Sequence, residues 1–278
     1  MLRRQAIVPV GAAAQKCCGI ELALVWVRQQ AVRHSVDCVA CGEHGAIEEG
    51  EFGARDNTRR ALEDPRFHCD PPGNAFYASL RDRFEPSKSL WITETADAAC
   101  GGNPWAATFL DTLRYLIQHA SLAERGVKVI MHNTLASSDY GLLDEKSFTP
   151  RPNYWAALLW RRLMGETVLD PHASPAPNVY VYAQCLQKHP GGVALLIINA
   201  DQQRAHEITL PFDAERYRLT ATQLLDTAVR LNAKTLQLNS DGDLPQLAGQ
   251  STRGGRLSFA PTSITFLTFP NSNNSSCH

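Results

Sequence analysis

The chain has 278 residues, 44% of them hydrophobic, enough for a sizeable core and for one large domain or two moderate ones. A formal net charge of -1 excludes a general electrostatic grip on nucleic acid or on an anionic membrane. No run of 18 or more apolar residues occurs, so no transmembrane helix is expected.

Residues 1–73 carry little periodic pattern. The opening MLRRQAIVPVGAAAQ imitates a signal peptide, but its apolar run is short and broken by Pro9 and Gly11. Leu22 to Val32 reads as a short helix. Five of the eight cysteines (Cys17, Cys18, Cys38, Cys41, Cys69) fall here. Cys38-x-x-Cys41-x-x-His44, near His34 and His68, has the residue types of a zinc site, but a second Cys-x-x-Cys pair is missing. Chance clustering is the simpler account, so no metal is expected. Nothing in this segment shows strand–helix alternation, and we leave it unassigned, as non-native or disordered sequence from a shifted frame, a wrong start or a truncated gene.

From Ala75 the pattern clears. Phe76, Leu80 and Phe84 recur at helical spacing. Leu90 to Thr93 reads as a buried strand ending in an isolated carboxylate, Glu94. A loop of small residues, Ala98 to Gly102, leads to Asn103 and Pro104, which suit the N-cap and first position of a helix. Trp105, Phe109, Leu113, Leu116 and Ala120 share one face of that helix. Gly126 precedes a second strand, Val127 to Met131. Pro152 opens a third helix with Trp155, Leu158, Leu159 and Leu163 as core, and Gly165 stands where a C-terminal cap is expected.

Beyond Glu166 the texture changes to short alternating strands such as VYVYAQCL, GGVALLIINA, HEITLPF, YRLTATQLL and SITFLTF. In the last, Ile264 and Phe266 face one way, Leu267 and Phe269 the other. This predicts an antiparallel sandwich of about 110 residues beginning near Gly165 to Pro171. Tyr180, Tyr182 and Tyr217 sit in these patterns as core residues would.

The segments WITETADAACGG, GVKVIMHNTLASSDYGLLDE, PRPNYWAALLWRRLMG, LNSDGDLPQLAG and LSFAPTSITFLTF resemble, in order, the C-terminal half of glycoside hydrolase family 79, the heparanase and β-glucuronidase family. The resemblance runs from about Ala75 to Phe269, about seventy per cent of the chain. It implies the end of a (β/α)₈ TIM barrel (74–165, strands 7 and 8 with their helices) followed by a β-sandwich domain (166–278). It also implies a retaining glycosidase, in which two carboxyl groups about 5–5.5 Å apart flank the scissile bond. By this resemblance Glu94 matches the catalytic nucleophile, and Thr95, Gly101 and Gly102 resemble the loop that lines the sugar site. Glycines there let backbone N–H groups approach a carboxylate closely, although a plain tight turn would need them equally. Asn133 matches a contact to a sugar hydroxyl and Tyr140 an aromatic hydroxyl set against the glucuronate ring. His132 reads more simply as a satisfied structural residue, and Asp144 and Glu145 as loop carboxylates bonded to backbone amides.

The family's general acid is a Glu directly after an Asn, and this sequence contains no Asn-Glu pair. Glu43, Glu48, Glu49, Glu51 and Glu63 lack a strand context, and Glu85 lies too close to Glu94 in the chain. Two barrel strands cannot close a barrel. The expectation is a truncated β-glucuronidase-like hydrolase, inactive alone, with a glucuronic-acid-containing saccharide or glucuronide as its partner. It needs no cofactor, and export is implied by the family alone. The competing reading is a non-catalytic carbohydrate-binding or structural β-sandwich.

Overall fold

A computed structural model of the chain describes residues 72–96, 105–172 and 176–278. The cysteine cluster, the upstream glutamates and Gly101 to Pro104 lie outside the described residues.

The first part is α1 (Pro72–Phe84), β1 (Leu90–Thr95), α2 (Phe109–Glu124), β2 (Val127–His132) and α3 (Pro152–Leu163). β1 and β2 pair in parallel, and such strands need a crossover like that through α2. Period-two alternation decides their faces. Leu90 and Ile92 are buried with Leu122 and Val127, whereas Trp91 between them is 45% exposed. Among the described residues this sheet has two strands.

Two sequence expectations need correction here. The second helix starts at Phe109, with Thr108 extended at its N-cap, and residues 105–108 form a turn. Thr108 causes the delay, because both its backbone N–H and its hydroxyl donate to the Trp105 carbonyl and close that turn first. Gly165 is not a helix cap. α3 passes directly into β3 (Met164–Leu169), and Gly165 is a strand residue. A Cβ there would lie 2.5 Å from the Cys185 carbonyl oxygen, so glycine is required for the close approach of the neighbouring strand.

The remaining strands are β4 (Val179–Leu186), β5 (Val193–Asn199), β6 (His206–Leu210), β7 (Ala214–Thr220), β8 (Arg230–Leu231), β9 (Lys234–Thr235), β10 (Gln250–Thr252), β11 (Gly255–Phe259) and β12 (Ser263–Phe269). Among the described residues, eight strands form one antiparallel sheet in the order β3-β4-β5-β12-β7-β8-β9, with β10 added to β7, while β6 and β11 pair separately. β12 is central and buried throughout. Its Ile264 and Phe266 join Phe109, Leu113, Trp155 and Leu159 of α2 and α3, while Leu267 and Phe269 pack with Leu210 and Phe259 of the β6–β11 pair. The expected two-sided alternation of this strand is therefore present. Burying a side chain such as Phe266 contributes about 1.5–3 kcal/mol. Tyr182 and Tyr217 are buried as well, and the Tyr182 hydroxyl lies 3.0 Å from Ser121 Oγ on α2.

A disulfide joins Cys185 on β4 to Cys277, across 92 positions of sequence. No pairing was expected for either residue.

Candidate active site

β1 and β2 end at the same level, because Thr95 and His132 are register partners. The residues at and just beyond those ends are thereby brought together. The Asn133 backbone N–H donates to the Thr95 carbonyl (2.8 Å), and Asn133 Nδ2 donates to Glu94 Oε1 (2.8 Å). The amide thus holds one carboxylate oxygen and fixes how the partly exposed Glu94 side chain is presented. The Asn133–Thr134 peptide is cis.

Behind this pair lies a chain of buried polar groups. Gln118 Nε2 donates to Thr95 Oγ1 (2.9 Å), and Arg114 Nη1 donates to Gln118 Oε1 (3.1 Å). Arg114 Nε donates to Asp111 Oδ1, and Asn153 Nδ2 donates to Asp111 Oδ2. The series links the start of α3, through one face of α2, to the end of β1. Thr95, expected with the loop that lines the sugar site, has its buried side chain turned onto α2 to meet Gln118.

Tyr140 lies in the loop between β2 and α3, only 7% exposed, packed with Ala96 and Ala106. Ala96 follows Glu94 by two positions, just past the end of β1. The Tyr140 backbone is held from beneath. His132 Nε2 lies 2.8 Å from the Tyr140 carbonyl oxygen, which can only accept, so Nε2 carries the proton. Burial lowers the His132 pKa, with a further push from Arg114, which keeps the ring neutral. The expectation of a satisfied histidine holds for Nε2 alone, since the buried Nδ1 has no hydrogen-bond partner among the described residues. Arg151 Nη1 donates to the carbonyls of Asp139 (2.6 Å) and Ser138 (2.8 Å), and Arg151 Nη2 to Asp144 Oδ2 (3.2 Å). Asp144 accepts from the Ser147 and Lys146 N–H groups, as expected of a loop carboxylate. The Ser147 bonds are the main reason its pKa lies far below the usual range, with Lys146 and Arg151 adding to them.

A groove of about 780 Å³ lies elsewhere, lined by Lys128 of β2, His119 of α2, Trp160 and Arg161 of α3, and Gln184 and Gln187; Glu94, Asn133 and Tyr140 do not line it. His119 Nδ1 bonds the Tyr115 carbonyl (2.7 Å), and burial lowers its pKa to about 3. Among the described residues no group of three or more His, Cys, Asp or Glu side chains is arranged to hold a metal ion. No described helix is long and apolar enough to cross a membrane.

Of the residues singled out in the sequence, Glu94 and Asn133 are joined by a hydrogen bond, Tyr140 lies in the following loop against Ala96 and Ala106, and Gly101 and Gly102 lie outside the described residues. Sequence reasoning missed Gln118, Arg114 and Arg151. The signal for the first two was a pair of polar residues, four apart, on the apolar face of an amphipathic helix. Arg151 gave none.

No protein-family model matches the chain. Curated relatives do. Heparanase-like protein 1 of Arabidopsis thaliana is 31% identical over 232 residues, 69% of this chain and 42% of that protein. Baicalin-beta-D-glucuronidase of Scutellaria baicalensis is 33% identical over 65% of this chain and 36% of its own length. The chain is a relative of the heparanases and β-glucuronidases of glycoside hydrolase family 79. Inactive heparanase-2 of Homo sapiens is a further family-79 match, 28% identical over 70% of this chain and 37% of its own. The chain thus spans about two fifths of the length of these family-79 relatives. Among solved structures, a 4-O-alpha-L-rhamnosyl-beta-D-glucuronidase from Fusarium oxysporum 12S aligns with a TM-score of 0.53 at 14% identity, over 77% of this chain and 50% of that one. A family 44 endoglucanase from Clostridium acetobutylium gives 0.52 at 9% identity, over 77% and 41%. At such identities these two likenesses concern the fold alone.

Proposed function

We propose that this chain carries the nucleophile side of a retaining β-glucuronidase-type site, on the closing strands of a (β/α)₈ barrel (74–165) followed by a β-sandwich (166–278). In this reading Glu94 attacks the anomeric carbon, Asn133 orients it and reaches a sugar hydroxyl, and Tyr140 with Gly101 and Gly102 shapes the glucuronate subsite. The substrate class is a glucuronic-acid-containing saccharide or a glucuronide. The observation that carries the reading is the 2.8 Å bond from Asn133 to Glu94, which joins two parallel strands at their C-terminal ends, where active-site groups of such barrels lie. The sequence has no Asn-Glu pair to supply the proton donor. Hydrolysis of unactivated glucuronides on this reading requires a carboxylic acid besides Glu94. The Cys185–Cys277 disulfide supports folding in an oxidising, exported setting.

The test bypasses the missing acid. A 2-deoxy-2-fluoro-glucuronyl fluoride has a leaving group that departs without protonation, and its fluorine slows breakdown of the glycosyl ester. Incubated with the full chain, it should add one fluoroglucuronyl mass to the peptide containing Glu94 and leave the Glu94→Gln variant unmodified. Absence of the adduct overturns the catalytic reading.

The second reading, a non-catalytic sugar-binding or structural protein, draws support from the inactive heparanase-2 relative and from the large antiparallel sheet with cores on both faces. It gains ground if glucuronides bind reversibly to both the unsubstituted chain and Glu94→Gln without any adduct.

A further inference from the structure

We infer that Arg151 is the positioning residue of the sugar-facing loop, holding the Tyr140 backbone and with it the direction of the ring. The inference rests on the reading of Tyr140 as a glucuronate contact.

The local sequence explains how one arginine reaches so far. Pro152 restricts the residue before it to extended backbone, and Arg151 adopts φ -86° and ψ 168° at the N-cap of α3. Its N–H donates to the Leu142 carbonyl (2.9 Å), which docks the helix start against the far arm of the loop. The side chain, 13% exposed, then turns back under the loop tip. Nη1 bonds the Asp139 and Ser138 carbonyls at 2.6 and 2.8 Å and reaches the Gly141 carbonyl at 3.4 Å. The carbonyls on both sides of Tyr140 are therefore bound by one guanidinium, and the carbonyl of Tyr140 itself by His132. Nη2 anchors the same plane to Asp144, whose carboxylate is fixed by Ser147 and Lys146.

The geometry needs a planar fork. A lysine ammonium in the same place keeps the attraction to Asp144 but presents a single point of donation, so it cannot serve that carboxylate and the tip carbonyls together. A neutral side chain leaves the part-buried Ser138 and Gly141 carbonyls without this donor, and the loop tip then gains alternatives to the conformation that carries Tyr140. A Cβ on Gly141 would meet Ser137 and Leu143 backbone atoms at 3.0 to 3.1 Å, so the chain turns tightly there, and among the described residues Tyr140 packs with Ala96 and Ala106.

The experiment compares the full chain with Arg151→Met and Arg151→Lys by amide hydrogen exchange, by the ring signal of Tyr140 in protein carrying ¹³C-labelled tyrosine (assigned with Tyr140→Phe), and by titration with methyl β-D-glucuronide. In Arg151→Met the Leu142 and Leu143 amides, bonded to Thr134 and Leu135, should exchange at least tenfold faster. The Tyr140 signal should shift and the glucuronide affinity fall at least tenfold, while β5 and β12 amides keep their protection. Arg151→Lys should give intermediate values, and it carries the test alone if Arg151→Met loses β5 and β12 protection. Unchanged loop exchange and affinity in the variants overturn the inference, as does acceleration spread equally over the sandwich strands. If the unsubstituted chain binds no glucuronide, the sugar-site reading fails, and the exchange data still decide whether Arg151 holds the loop.

Discussion

Asp111 and Arg114, one turn apart on α2, form an ion pair whose side chains are 0% and 1% exposed. Each is held by the other and by amide side chains, Asn153 on one side and Gln118 on the other. Removing one member of a buried pair leaves an uncompensated charge and costs about 3–5 kcal/mol. Asp111→Asn should therefore lose about that much in urea unfolding. The double variant Asp111→Leu/Arg114→Met should recover a large part of the loss, because no charge is then left behind. A double variant less stable than Asp111→Asn would show that the pair itself supplies the stability.

The Asn133 amide is expected to matter only if Glu94 reacts. Losing a hydrogen bond to an ionised group costs about 1.5–3 kcal/mol. Asn133→Ala should then slow adduct formation on Glu94 with the fluoroglucuronyl fluoride at least tenfold while leaving the melting temperature within a few degrees. An unchanged labelling rate would remove Asn133 from the site.

Acid should weaken the fold through His119. Its folded pKa of about 3 lies below the ordinary value of 6.5, so between these limits the unfolded chain takes up a proton that the folded chain refuses. The stabilisation is complete above about pH 6.5 and falls away as the pH drops toward 3, by about 2 kcal/mol at pH 5. His132, also lowered by burial, acts in the same direction. Urea midpoints at pH 7.5 and 5.0 check this, and His119→Gln should flatten the difference. An unaltered difference would assign the acid sensitivity to other groups.

Gly165→Ala is a geometric prediction. The added methyl would meet a backbone oxygen of β4, which cannot rotate aside as a side-chain tip can. Overpacking of this kind costs about 1–3 kcal/mol. A melting temperature equal to that of the parent would mean that β3 and β4 do not approach as described.

Much of the fold was legible because it rests on periodicity. Ile264 and Phe266 against Leu267 and Phe269 are an alternating pattern, and such a pattern dictates two buried faces. Pro152 marks a helix start because its ring fixes φ. Gly165 misled because glycine serves two needs, left-handed caps and close strand contact, and only the neighbouring chain tells which applies. Glu94 and Asn133 were identified by resemblance. Their hydrogen bond depends on strand register, which local sequence does not encode. Arg151 was illegible for a related reason. Its partners are backbone carbonyls, which every residue possesses, so no pattern of side chains announces them. Cys185 and Cys277 stayed unpaired because sequence spacing alone does not say which cysteines meet.

That disulfide sets how damage to the chain would be noticed. A single proteolytic cut between Cys185 and β12 leaves two peptide pieces joined by the disulfide as one covalent molecule, with β12 still carried in the fragment bonded to β4. Nicked protein would migrate as one species on a non-reducing gel and separate into two only after thiol treatment. Loops such as 221–229 and 239–249 can thus be severed without the sheet losing a strand to dilution.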